Sequence, residues 1–167
     1  LSGDSAGPDG DNALQLLRCE LAVSTCQHFS PELEDSAISA FVIHPLEGSL
    51  LLADSSMGEL LKVNREGEIV ARTTAPLPSH PVLRLHGGLL LMNSADGPGI
   101  SVLRYEDSAF GQQLDEILLL PPAAQQTDQS TVRNFLWSGN SWWVSLQNPE
   151  SGSIGLYRFD KEWNYLD

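Results

Sequence analysis

Positive charge is scarce in this chain. Nine lysines and arginines face 22 aspartates and glutamates, a net charge of −13 at pH 7. A surface of that sign repels phosphate backbones and anionic lipid, so nucleic acid is not an expected partner. The same acidity also serves solubility alone. Long apolar runs are missing: nothing approaches the ~18 residues of a membrane-spanning helix. No signal-peptide pattern is present and the sequence begins at Leu1 without Met, so a piece of a longer protein is expected. A sustained 3.6-residue apolar period is absent, which argues against a helical fold. The best short helix candidate is residues 31–38, which carries Glu32, Glu34 and Asp35 early. No serine has a G-x-S-x-G context, and no two of His28, His44, His80 and His86 have metal-ligand spacing on one element. Each histidine lies near a strand end or turn, and solvated turn positions are expected. No catalytic residue and no metal ligand set is assigned.

What is present is a repeated short-strand unit. Residues 49–70 hold three strands in a row: an apolar one ending in Asp54, one with Leu61 and Val63, and one with Ile69 and Val70. Polar turns at 55–58 and 65–67 join them. Four segments share two apolar residues, a basic residue, an apolar or Cys residue and then an acid or Asn: Leu16-Leu-Arg-Cys-Glu20, Leu60-Leu-Lys-Val-Asn64, Val102-Leu-Arg-Tyr-Glu106 and Leu156-Tyr-Arg-Phe-Asp160. Their basic residues are separated by 44, 42 and 54 positions. A period near 44 is the size of one four-stranded propeller blade. The Pro- and Gln-rich stretch 121–130 absorbs the longer interval as a loop.

Paired strands precede three of these segments, at 40–43 with 49–53, 82–85 with 89–92, and 134–137 with 142–145. Outer strands follow at 68–73 and 114–119. Apolar residues on consecutive positions suit strands buried on both faces. The expected fold is all-β, a partial β-propeller of four-stranded antiparallel blades. The units are a half blade at 13–30 and repeats at 37–74, 80–119 and 132–167, about three to three and a half blades. Residues 1–12 are small and polar, and read as a disordered linker or tag remnant.

Cys19 and Cys26 are seven apart, the interval that also separates Val63 from Val70 and Phe159 from Leu166. In each case the pair is expected to face across the hairpin of third and outer strands. A structural disulfide is the favoured state, with two buried thiols as the alternative; Cys-x6-Cys is neither a usual zinc spacing nor the usual redox one. A disulfide implies the periplasm or the cell exterior. Reducing it is expected to loosen the hairpin without unfolding the chain.

The run Phe41-Val-Ile-His-Pro, then Gly48-Ser-Leu-Leu-Leu-Ala-Asp-Ser-Ser and Gly58-Glu-Leu-Leu-Lys-Val-Asn-Arg-Glu-Gly67 resembles an NHL-type β-propeller repeat. The likeness covers 37–73 best and weakens over 80–119 and 132–167. The Asp that ends the second strand of such repeats matches Asp54; Asn93 and Leu146 hold the corresponding places. The resemblance implies a propeller that holds a partner on one rim. It also implies an alternative, a fragment of a calcium-dependent hydrolase of the gluconolactonase-like group.

Asp54 and Asn93 are candidate rim residues, either turn caps or holders of a cation such as calcium. Trp142 and Trp143 are adjacent and must point to opposite faces of a strand. One is expected in the core; the other packs between repeats or forms a platform for a protein or small-molecule ligand. The favoured function is a noncatalytic extracytoplasmic binding or scaffold module, with any membrane tether outside this sequence. An open fan of blades bares its end sheets, so self-association through them, or completion by missing blades, is expected.

Overall fold

Leu51, Leu52 and Ala53 sit side by side with no exposed surface. Adjacent strand residues point to opposite faces, so this strand is covered on both, and that sandwiching organises the molecule. The computed structural model describes residues 17–20, 22–30, 33, 36–121 and 130–167. The disordered segment expected at 1–12 lies outside them.

A first hairpin pairs β1 (Leu17–Glu20) with β2 (Thr25–His28). The first full blade has β3 (Ile38–Ile43), β4 (Leu50–Asp54), β5 (Glu59–Val63) and β6 (Ile69–Thr74), paired in that order. The second has β7 (Leu83–His86), β8 (Leu89–Asn93), β9 (Gly99–Arg104) and β10 (Gln113–Leu118), again in sequence order. The third has β11 (Thr131–Ser138), β12 (Ser141–Gln147) and β13 (Ile154–Phe159). Its fourth strand is reduced to one bridge, Phe159 with Tyr165. All pairings are antiparallel, so the chain is a partial β-propeller.

Apolar clusters fill the gaps between sheets. Leu51, Ala53 and Leu60 of the first blade meet Leu83, Leu90, Met92 and Leu103 of the second. The other face of the second blade, with Leu91, Ile100 and Val102, meets Phe135, Trp142, Val144 and Leu146 of the third. The opposite face of the first blade, with Leu52, Leu61 and Val63, is covered by Leu33 and Phe29. Two glycines mark close approaches between successive units. A Cβ on Gly67 would lie 2.1 Å from the Phe29 carbonyl oxygen, and one on Gly111 would lie 2.0 Å from Thr73. Both have positive φ, 97° and 74°, which favours glycine.

Several expectations change in detail. Cys19 does face Cys26, and they form a disulfide with Cα atoms 4.1 Å apart. The matching intervals elsewhere do not face. Val63 pairs with Ile69 because of a bulge beside Lys62, and Phe159 bridges Tyr165. Burial on both faces holds for the middle strands of the first two blades, β4, β5, β8 and β9, while β3, β6 and β12 alternate between more and less covered positions. Of the helix candidate, Leu33 lies in a 3₁₀ turn and Ile38 opens β3; the acidic residues named for it lie outside the described residues. The β9–β10 turn holds a 3₁₀ turn, Asp107–Ala109.

Candidate functional site

Strand direction alternates along the chain, so the β3–β4, β5–β6, β7–β8, β9–β10 and β11–β12 turns share one rim. The β4–β5, β8–β9 and β12–β13 turns share the other. Both blade interfaces are sealed at the first rim, by different chemistry.

Between blades one and two the seal is polar. Lys62 interrupts the apolar run of β5 and faces the second blade, on the same side as Leu60. Its side chain is only 7% exposed. The ammonium bonds Asp107 Oδ1 at 2.5 Å, lies 3.8 Å from Glu47 Oε2 and sits 3.8 Å over the Tyr105 ring. Tyr105 donates its hydroxyl to Glu47, and its oxygen lies 2.9 Å from Ser49 Oγ. The His44 ring stacks on Tyr105 at 4.8 Å. The bond from Tyr105 holds the Glu47 carboxyl below its ordinary range; burial acts against it, and His44 and Lys62 add smaller downward pulls. Burial acts to lower the Lys62 ammonium, but Asp107 and Tyr105 outweigh it and hold it raised. Burial and the bond to Glu47 push the Tyr105 phenol up. A groove of about 420 Å³ opens beside this cluster.

Between blades two and three the seal is aromatic. Trp142 is buried, with Trp163 stacked on it at 4.4 Å and 13°. Trp137 and His86 meet Trp142 edge-on at 5.2 and 4.8 Å, and His86 also touches Trp137. Trp163 holds φ at 67°, unusual for a bulky residue. Burying that ring against Trp142 accounts for the tolerance of the strain.

Asp54, 2% exposed, ends β4, and its Oδ1 accepts from Ser56 N, Ser56 Oγ and Met57 N at 2.9, 2.6 and 3.4 Å. Burial would raise this carboxyl, but the bonds from Ser56 and Ser36 outweigh it and hold it low. Asn93, also buried, accepts from Val82 N at 2.7 Å and donates to the His80 and Val132 carbonyls, both at 3.1 Å. It ties β8 to the inter-blade crossover and to the third blade. Asp54 and Asn93 share the second rim but serve different blades. Trp143 points away from Trp142, to the outer face of the third blade, with the Arg158 guanidinium 5.9 Å from its ring. Among the described residues no three His, Cys, Asp or Glu side chains converge as a metal-binding group. His86 is exposed, as expected for a turn residue, while its ring packs against Trp137 and Trp142; His44 is half-buried, stacked on Tyr105.

The stacking of four-stranded sheets is matched by solved propellers. Streptogramin B lyase superposes with a TM-score of 0.57 at 15% identity, over 87% of this chain and 48% of that one. Virginiamycin B lyase from Staphylococcus aureus gives 0.54 at 14%, over 90% and 50%. The β-propeller domain of Cps50 (Swd1) from Myceliophteria thermophila gives 0.53 at 17%, over 83% and 44%. At these identities the likeness establishes the fold alone, a β-propeller. This chain spans about half the length of each. No protein-family model and no curated protein sequence matches it.

Sequence reasoning missed Lys62, Glu47 and Tyr105 as a cluster. A signal existed: a lysine inside Leu-Leu-Lys-Val has to find partners if the strand is covered on both faces. Nothing local marked Glu47 and Tyr105, which are 58 positions apart.

Proposed function

We propose that this chain is one arc of a larger propeller ring and works as a noncatalytic, extracytoplasmic binding or scaffold module, of the NHL-type group that its best repeat resembles. One observation carries the ring: the third blade's outer face is built as a blade interface but lies bare. Lys62 faces the next blade, and Arg104 does too, since it shares the side of Val102. Arg158 holds the same place in its own repeat, on the face with Leu156 and opposite the buried Trp142. There Leu136, Ile154 and Leu156 are 44%, 63% and 65% exposed.

The other end supports the same reading. β1 and β2 correspond to the third and outer strands of a blade, and β1 has no partner on its inner edge among the described residues. Beside it an apolar groove of about 430 Å³ runs between Leu17, Phe29, Phe41, Ile43 and Leu50. Two inner strands of that blade are the occupant that this groove suits. The half-length span of the solved propellers agrees. The Cys19–Cys26 disulfide supports an oxidising compartment.

Sedimentation of the isolated chain tests the ring. Association that grows with concentration, and weakens in both Leu156→Asp and Phe41→Asp, is expected. A monomer at all concentrations, with the β13 and β3 amides protected from hydrogen exchange, defeats the proposal.

A further inference from the structure

The innermost strands β3, β7 and β11 line the wall that would face a propeller's central channel, and there this acidic protein gathers two arginines. A groove of about 390 Å³ lies along that wall, lined by Arg84, Arg133 and Asn134 together with Ala40, Pro81 and Val82. Arg84 is held by neutral acceptors only. Its Nε donates to the Phe135 carbonyl at 3.0 Å, one terminal nitrogen to the Leu83 carbonyl at 2.8 Å and the other to Asn134 Oδ1 at 2.8 Å. Arg133 bonds Gln147 Oε1 at 2.5 Å, and a terminal nitrogen lies 2.9 Å from His80 Nδ1. Neither arginine has a carboxylate within ion-pair distance among the described residues.

A guanidinium carries five N–H donors, and three bonds leave two on Arg84. It is a charge fixed in direction, half-buried and uncompensated. Burial works against that charge, holding the Arg84 guanidinium below its ordinary value, so a bound anion would relieve the cost. A fixed guanidinium fork matches a carboxylate in two-point contact. The rest of the lining is mostly apolar, with Ala40, Pro81 and Val82 beside Ser39, so the matching ligand has an anionic head and an apolar body.

We propose that the β3–β7–β11 wall binds a small organic carboxylate, its head on Arg84 and Arg133 and its apolar part against Ala40 and Val82. The site needs these strands alone and does not depend on ring closure.

The test titrates phenylacetate, acetate and the neutral 2-phenylethanol into the isolated chain, following the Arg84 Nε–H and Val82 methyl resonances. Phenylacetate is expected to shift both, with a dissociation constant of about 1 mM. Acetate and 2-phenylethanol are each expected to bind about tenfold more weakly, because each lacks one half of the match. Arg133→Gln is expected to weaken phenylacetate about tenfold while leaving the Arg84 bonds to β11 in place. The proposal is overturned if 2-phenylethanol binds as tightly as phenylacetate, if phenylacetate leaves the Arg84 resonance unmoved, or if Arg133→Gln binds phenylacetate undiminished. The first comparison needs no variant, so a poorly folded mutant does not blunt it.

Discussion

The two blade interfaces occupy equivalent places and are closed by unlike chemistry. At the first, His44 follows the innermost strand and stacks on Tyr105, beneath which Lys62 is paired. At the second, His86 ends the innermost strand and meets a wholly aromatic group around Trp142. The position of the seal belongs to the repeat; its chemistry does not. Both solutions cover apolar sheet faces. The aromatic seal draws on area and shape, the polar one on charges whose acids remain half in water.

That difference should show most strongly at Trp142. Trp142→Ala removes a buried ring that meets four others, and a loss of about 3–5 kcal/mol is expected in chemical denaturation. A loss under about 1 kcal/mol would mean that the interface repacks freely. Next is Gly111→Ala, which tests how tightly the blades approach. The positive φ and the Thr73 contact predict a loss of about 2 kcal/mol. If Thr73→Gly fails to recover part of it, the clash is not the cause.

The second rim supplies a smaller effect. Asp54→Ala leaves the Ser56 amide without its acceptor, at a cost of about 1–2 kcal/mol. The pH dependence has a definite sign. Asp54 and Glu47 are held below their ordinary values of 3.8 and 4.5 in the folded chain, so the unfolded chain takes up protons first. Their stabilisation is full above those ordinary values and drains away as pH falls through and below them. Asp54 dominates, because Glu47 is half-exposed and screened. Acid melts of Asp54→Asn should therefore be flatter than those of the parent below about pH 3.8. An unchanged acid limb would reassign the effect.

Lys62→Met sharpens the contrast between seals. Asp107 and Glu47 are 61% and 51% exposed, so water keeps them solvated when the ammonium is gone. The methionine fills the same gap, and the change should stay within about 1 kcal/mol. A loss as large as that of Trp142→Ala would show that charge closes this interface after all. At the small end, calcium and then a chelator should leave the thermal midpoint where it was; a calcium-dependent rise would revive the hydrolase alternative.

The repeat, the strand order and the facing cysteines can all be read from local stretches of residues. All three follow from local rules. Apolar runs of four to eight residues bounded by Gly, Pro and Asn turns can fold back only as meanders, and a hairpin of fixed length sets which residues oppose each other. Where a bulge intervened, at Val63 and Ile69, the same counting failed by one residue, because an extra backbone residue is invisible in an apolar pattern. The opposite facing of Trp142 and Trp143 was legible from strand geometry; which of them was covered was not. The packing of sheet on sheet settles that, along with the pairing of Lys62 to a loop 45 residues away and the meeting of Arg84 and Arg133 on one wall. Those contacts depend on the angle and spacing between stacked sheets. That spacing is set by the summed volumes of side chains from distant repeats, which no local stretch of the chain encodes.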